Sequence, residues 1–463
     1  MRGAEYPVDM DVRLSEILAA LSHALDITEG QPRGHAERTC LIAMRIAEHL
    51  ELDDATCSSL FHAALLKDAG CSSNAAKVAA LYGADDAGVK RDRKTTDHRR
   101  PAESLRHLVR STVPGGSPLA KARHLRLLVS HGATGSRALT ELRCERGANV
   151  ARSVGLDEVS ATAIRHLDEH WDGRGYPEGL HGEAISLCGR ILCLAQTAEV
   201  FWQAGGAAAA CAVARARSGT WFDPAPAEAL CAVEHDDVFW ASLRTPAVSA
   251  LEPADLALHA DDDRLDRVSE AFAGIVDAKS PYTGRHSAGV AAIAVLLADQ
   301  LGLDPAEQRA LRRAGLLHDI GKLGVSNRIL DKPGKLDEAE WAAMRRHPEW
   351  TLEILQRIPA FRGLAEVAAA HHERLDGTGY FRGLTAAQLD RPSRILAVAD
   401  VAEALSAERP YREALAPDTV LGIMRRDAGP VLDATAFAAL EAVLPGWRAG
   451  AAEPPQAPGA LAA

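Results

Sequence analysis

The chain has 463 residues, too many for one ordinary hydrophobic core, and its 47% hydrophobic and 25% charged residues match a folded protein that needs no staples. A small disulfide-bonded module is excluded. Lys plus Arg at 52 against Asp plus Glu at 63 leaves a formal charge of -11, so no global basic field exists to hold long nucleic acid, and an anionic ligand must be met by a local cluster.

The eight cysteines, from Cys40 to Cys231, have no CxxC spacing and are expected to be free buried thiols of a reducing compartment. No apolar run reaches the roughly 18 residues that span a bilayer, and the start, with Glu5, Asp9 and Asp11, lacks the order of a signal peptide. A cytoplasmic protein with no membrane contact is expected.

The chain repeats itself. Gly34 to Cys71 aligns without gaps on Arg285 to Lys322 at an offset of 251, with 14 of 38 pairs identical. Trp171 to Gln196 aligns on Leu375 to Asp400 at an offset of 204, with 10 of 26 identical, so the first copy is longer by 47 residues between its blocks. That insert, roughly Ala84 to Arg146, contains KRDRKTTDHRR and is expected to be a solvated excursion, the alternative being a partner-docking arm. Thr245 to Asp263, with Pro246 and Pro253, suggests a linker, and the Pro, Ala and Gly tail after Leu444 suggests disorder. The expected organisation is a first domain over 1–248, a second over 249–445 and a tail over 446–463.

Helical periodicity runs almost throughout, and no stretch alternates long enough for a sheet. In SPYTGRHSAGVAAIAVLLADQLGL, Ser280 is the expected N-cap and Pro281 the first helical residue, followed by Val290, Ile293, Leu297 and Leu301 at helical spacing. LRRAGLLHDIGK, EAEWAAMRRHPEWTLEILQRI, LAEVAAAHHERL and PSRILAVADVAEALSAE are further expected helices. The fold class is all-α, as two tandem helical bundles.

The second copy sets His286, His318, Asp319, His347, His371, His372 and Asp400 among helix-forming apolar residues, where a structural core prefers neither type. Five imidazoles and two carboxylates suit iron, manganese or zinc better than magnesium or calcium. Seven ligands exceed the needs of one ion. A pair about 3.5 to 4 Å apart would use them, clamping a phosphoryl displacement and lowering the pKa of a bridging water from about 15.7 towards 7.

HDIGK, MRRHP, HHERLDGTGY, ILAVAD and ERPYR occur here in an order that resembles the HD-GYP family, bacterial phosphodiesterases of cyclic-di-GMP within the HD superfamily of metal-dependent phosphohydrolases. The likeness covers roughly His286 to Arg412. It implies a bundle of about seven helices and two divalent ions, iron or manganese, that hydrolyse cyclic-di-GMP to linear pGpG and sometimes on to GMP. It also implies that the seven residues above are the ligands with Asp319 bridging, that Lys322 holds a phosphate oxygen, and that Gly379, Tyr380, Arg409 and Arg412 meet the substrate. Tyr282 stands where some members carry a carboxylate for a third metal. Phe381 replaces the family's proline in the Gly-Tyr-Pro loop, and Glu403 replaces an aspartate. Glu373 or a metal-bound water are the candidates for protonating the leaving oxygen.

Aligned position by position, the first copy keeps His35 and Asp68 but has Lys67 for His318, Cys71 for Lys322, Leu167 and Asp168 for the His371 and His372 pair, and Gln196 for Asp400. Two ligands of seven cannot hold two ions, and Lys67 puts a cation where a metal belongs. The copy retains Gly175, Tyr176 and Pro177, which suggests fold maintenance or a regulatory surface, with a homodimer or a regulatory protein as possible partner. His166, His170 and His181 near that loop are expected to be scattered surface histidines. Two further readings stay open: the same centre acting on another cyclic dinucleotide or a nucleotide phosphate, and a regulatory binding protein without useful turnover.

Overall fold

The computed structural model describes residues 12–97, 100–280, 284–408 and 413–447. Among them the chain forms α-helices, short 3-10 turns and isolated β-bridges, with no strand. The all-helical expectation holds. The first half carries α1 (Leu14–Thr28), α2 (His35–His49), α3 (Asp54–Leu66), α4 (Ala75–Tyr82), α5 (Asp86–Thr95), α6 (Pro101–Ser111), α7 (Pro118–Ser153), α8 (Glu158–Arg165), α9 (Leu187–Arg217), α10 (Pro224–Ala232) and α11 (Asp237–Ser242). The second carries α12 (Asp262–Asp277), α13 (His286–Gln300), α14 (Pro305–Leu317), α15 (Asn327–Leu330), α16 (Glu338–Met344), α17 (His347–Leu355), α18 (Arg362–Ala369), α19 (Arg391–Ser406), α20 (Pro417–Met424) and α21 (Ala434–Val443).

The duplication is legible in the caps. Asp53 accepts the Thr56 amide at the start of α3, and Asp304, at the matching place before α14, accepts the amides of Ala306 and Glu307 in a capping box. Asp26 takes the amides of Gly34, His35 and Ala36 before α2, and Asp277 takes that of Ser287 in α13. In each half the histidine-bearing helix, α2 or α13, packs between the helix that follows it and the long α9 or α19.

The two halves share one apolar core. Helix α1 lies on the turn Ile320–Gly324 and on α17 of the second half, while α12 reaches back to α7 and to the turn Cys71–Asn74 of the first. Leu14, Ile17, Leu18, Leu21 and Leu25 of α1 are fully buried. At about 1.5–3 kcal/mol for each such side chain, α1 is bound firmly to both halves. The segment expected to be a linker is pinned as well: the Leu14 amide donates to Leu258 O, the Ala260 amide to Val12 O, and buried Glu252 accepts from Ser15 Oγ.

Several local expectations are corrected. Helix α13 begins at His286, and the Ser280 hydroxyl donates to Asp331 instead of capping it; Pro281 and Tyr282 lie outside the described residues. Helix α14 stops at Leu317, so His318, Asp319 and Lys322 occupy a turn, not a helix face. Its diversion has a cause: the Thr351 hydroxyl donates to His318 O and accepts the Gly321 amide, replacing helical hydrogen bonds. The run around MRRHP is broken between α16 and α17, which starts at His347. After the 3-10 turn Leu444–Gly446, residues from 448 onward lie outside the described ones.

The insert is only in part a solvated excursion, since most of α6 and much of the first half of α7 are exposed while its two ends pack on the protein. It folds into α5, α6 and most of α7, with Val89, Lys90, Cys144 and His107 buried. Two of its lysines reach carboxylates outside it, Lys90 and Lys94 facing Glu29 at 3.6 and 3.2 Å and Lys94 facing Asp68 at 3.7 Å, while Arg100 and Arg110 pair with the insert's own Asp97, Glu103 and Asp92. The first turn of α5 docks on the other half, where Asp86 accepts the Asn327 amide.

Gly321 touches the His347 carbonyl and the Thr351 amide so closely that a Cβ would overlap them. Gly321→Ala should therefore destabilise the chain by at least about 1–3 kcal/mol, whereas Gly274→Ala, exposed in α12 with nothing within 4 Å, should stabilise it by about 0.5–1 kcal/mol. Denaturant unfolding of the two variants checks both signs.

Candidate metal centre

Five segments deliver the seven residues to one buried place. His286 opens α13, His318 and Asp319 sit in the turn after α14, His347 opens α17, His371 and His372 follow the end of α18, and Asp400 lies within α19. His318, Asp319, His347 and His371 are almost fully buried.

The Asp319 carboxylate divides the cluster. Its Oδ2 lies 3.5 Å from His286 Nε2 and 3.2 Å from His318 Nε2, and its Oδ1 lies 3.3 Å from His347 Nε2 and 3.7 Å from His371 Nε2. Asp400 closes the cluster, with Oδ1 3.3 Å from His286 Nε2 and Oδ2 3.8 Å from His372 Nδ1. His286, His318 and Asp400 can converge on one ion and His347, His371 and His372 on another, with ligand atoms within 4.8 Å in each set. Asp319 stands between them with one oxygen for each.

The backbone fixes which ring nitrogen faces inward. His318, His347 and His371 use Nδ1 on the carbonyls of Gly315, Met344 and Ala368, at 2.7 to 2.8 Å, and His286 uses Nδ1 on Glu403. Each thereby presents Nε2 to the centre. Glu403 is the residue the sequence missed as a positioning group; its place one turn after Asp400, toward the His286 helix, was the available signal. In the first copy Glu199 makes the same bond to His35.

Charge and burial suit a cation. Burial pushes His347 down to about 3 and His372 to about 4, and lowers His371, so these rings are neutral. Burial opposes the charge of Asp319, yet His318, Lys322 and His286 outweigh it and hold the carboxyl well below its usual range. Neutral His347, His371 and His372 beside ionised carboxylates are in the state that binds metal, whereas at His286 burial is outweighed by Asp319, Asp400 and Glu403, which raise its pKa and hold a proton that a bound cation would displace. His318 Nε2 and Asp319 Oδ1 are buried without a hydrogen-bond partner, and a cation in each of the two sets would satisfy one of them.

The flanking residues differ in their placement. Lys322 Nζ bonds Asp319 Oδ2 at 2.5 Å and is partly exposed. The Tyr380 ring lies 4.6 Å from that of His372, and burial, with Asp319 and Asp400, raises its hydroxyl pKa. Gly379 packs against His372 O and Glu373, leaving no room for a Cβ. Arg409 and Arg412 lie outside the described residues. Both Glu373 oxygens are taken up by the loop, accepting the amides of Arg382 and Leu384 at 2.8 Å, as Glu169 does for Glu178, Gly179 and Leu180 in the first copy. The same carboxylate grip holds two different loops, since Phe381 adopts φ +94°, a conformation closed to proline.

In the first copy, cations fill the corresponding space. Lys67 pairs with Asp68, and Lys94 of the insert joins them. The counterpart of His347, unplaced from sequence, is Arg143: Gly70 packs on the Arg143 carbonyl as Gly321 does on that of His347. Arg143 pairs with Asp168, itself the counterpart of His372. His166 accepts the Ser186 amide and His170 stacks on Trp221, so these two histidines near the loop have separate structural neighbours.

A family model described as HD domain matches residues 131–225 and 270–436. The chain belongs to the HD domain family, in its HD-GYP branch of phosphodiesterases. The 3'3'-cGAMP-specific phosphodiesterase 3 of Vibrio cholerae is 45% identical over 93% of this chain and 94% of its own length. A crystal structure of a cyclic GMP-AMP specific phosphodiesterase of that organism, V-cGAP3, superposes with a TM-score of 0.64 at 40% identity, covering 94% of this chain and 98% of that one. The cyclic di-GMP phosphodiesterase response regulator RpfG of Xanthomonas campestris is 41% identical over 30% of this chain and 38% of its own length.

Glu403→Ala should lower divalent-metal affinity about 10–100-fold by releasing the His286 ring, whereas Glu199→Ala should lower Tm and leave bound metal unchanged. Metal titration and thermal unfolding of both variants separate the two effects.

Proposed function

We propose that the second copy hydrolyses a 3′–5′ linkage of a cyclic dinucleotide, and that 3'3'-cGAMP is preferred over cyclic-di-GMP. The observation that carries the hydrolytic reading is the division of the Asp319 oxygens between two sets of imidazoles. The substrate preference rests on likeness along nearly the whole chain to a 3'3'-cGAMP-specific enzyme, where the cyclic-di-GMP enzymes match about a third of it.

His286, His318 and Asp400 would hold one divalent ion, His347, His371 and His372 a second, and Asp319 would bridge them; iron or manganese fits this donor set. When bound, such a pair supplies Lewis acidity and a water acidic enough to attack at neutral pH. The chain's own groups then have defined tasks. Lys322 keeps two ammonium protons beyond its Asp319 bond for a phosphate oxygen. The Tyr380 hydroxyl, held protonated, donates a hydrogen bond toward substrate and closes one side of the centre. Arg409 and Arg412 are proposed as the outer phosphate clamp. Burial of the surrounding imidazoles keeps bulk water from competing.

Cyclic-di-GMP is the second reading, favoured by the 44% identity over 133 residues to the Pseudomonas aeruginosa enzyme PA4108. Turnover of 3'3'-cGAMP, cyclic-di-GMP, cyclic-di-AMP and mononucleotides should be compared side by side on manganese- and iron-loaded protein. Expected is a kcat/KM at least tenfold higher for 3'3'-cGAMP than for cyclic-di-GMP. The reverse order would establish the second reading, and hydrolysis of mononucleotides alone would overturn both.

A further inference from the structure

Between the first copy and the helices of its insert lies a cavity of about 580 Å³, a size suited to a nucleotide or dinucleotide. Its walls carry Lys90, Arg93 and Lys94 of α5, Arg143 of α7 and Arg174, against the carboxylates of Glu29 and Asp168, an excess of three positive charges. Lys90, Lys94 and Arg143 are engaged with those carboxylates. Arg93 is partly buried and has no carboxylate within ion-pair distance among the described residues. A guanidinium with its donor fork unused, lining a positive cavity, has the chemistry that suits a phosphate.

The same cavity has a neutral wall that asks for a different kind of partner. Asn74, Gln196 and Trp221 line it, each more than nine-tenths buried, and their Oδ1, Oε1 and Nε1 atoms are buried without a hydrogen-bond partner. Two acceptors and one donor without partners cost free energy until a ligand supplies them, and mixed donors and acceptors on one rigid edge are what a purine presents. Gln196 occupies the place that Asp400 has in the second copy. The cavity thus lies over the site where metal ligands were lost, and offers a phosphate contact and a base-edge contact within one enclosure.

We propose that this cavity is a second binding site, for a phosphorylated purine, with phosphate on Arg93 and the base edge on Asn74, Gln196 and Trp221. The proposal goes beyond hydrolysis in the second copy and does not depend on it. Arg93→Met removes the unused guanidinium without breaking any ion pair among the described residues, so the fold should survive, which Tm checks. Calorimetric titrations use the full chain in two forms, stripped of metal and carrying Asp319→Ala, with 3'3'-cGAMP, its linear product, GMP, AMP and orthophosphate as probes. Expected is saturable binding of at least one nucleotide that Arg93→Met and Gln196→Ala each weaken at least tenfold. The tightest probe identifies the source: the cyclic compound marks substrate, the linear one product, a mononucleotide the free pool. Isotherms unchanged by both substitutions would overturn the site, and orthophosphate binding as tightly as every nucleotide would overturn the base contact. Because binding is read without turnover, failure of the hydrolytic reading leaves this test intact.

Discussion

A carboxylate buried among imidazoles is the constraint from which this structure follows. Asp319 is withdrawn from water and still ionised, which requires positive charge close by. Around it the chain does three things at once: it ends α14 early with the Thr351 hydroxyl, brings His347 close by means of a glycine with no Cβ, and turns four rings inward by tying their Nδ1 atoms to backbone or to Glu403. The remaining lone pairs face one another across a gap that a cation pair would fill.

The first copy meets the same constraint in another way. Asp68 is as deeply buried as Asp319, but Lys67, Lys94 and, at one remove, Arg143 supply fixed positive charge from the protein itself. Removing one partner of such a pair leaves an unpaired buried charge, at about 3–5 kcal/mol. The extra 47 residues are thus part of the solution, since Lys94 belongs to them. An internal ion network stands where the second copy groups its imidazoles, while the glycine contact, the His35 to Glu199 bond and the Glu169 grip on its loop all persist. Because α1 lies on the turn after Asp319 and α5 docks on Asn327, the fixed copy also braces the other.

Much of this was legible in the sequence, where periodicity and spacing act over short distances. The helical spacing of Val290, Ile293 and Leu297 corresponds to buried positions of α13, and the substitution of Lys67 for His318 foretold a cation beside Asp68. What stayed hidden depends on contacts between distant residues. Arg143 could not be matched to His347 because the stretches around them share almost no identity, although the offset of 204 already applies there. The insert looked solvated because Glu29 and Asp68, which neutralise its lysines, lie far upstream. Helix α14 looked longer because Thr351, which ends it, follows more than thirty residues later. The Gly-Tyr-Phe loop lacks the family's proline, and the sequence did not show that Glu373 holds it by backbone amides, which do not depend on that residue.

The central claim is that the second copy holds a cation pair on Asp319 and the first copy holds none. Counting iron, manganese and zinc per chain after anaerobic purification, in the unaltered protein and in Asp319→Ala, tests it most directly. The account predicts close to two ions per chain, falling below one half in the variant. Fewer than one ion in the unaltered chain, or an unchanged count in Asp319→Ala, would contradict it.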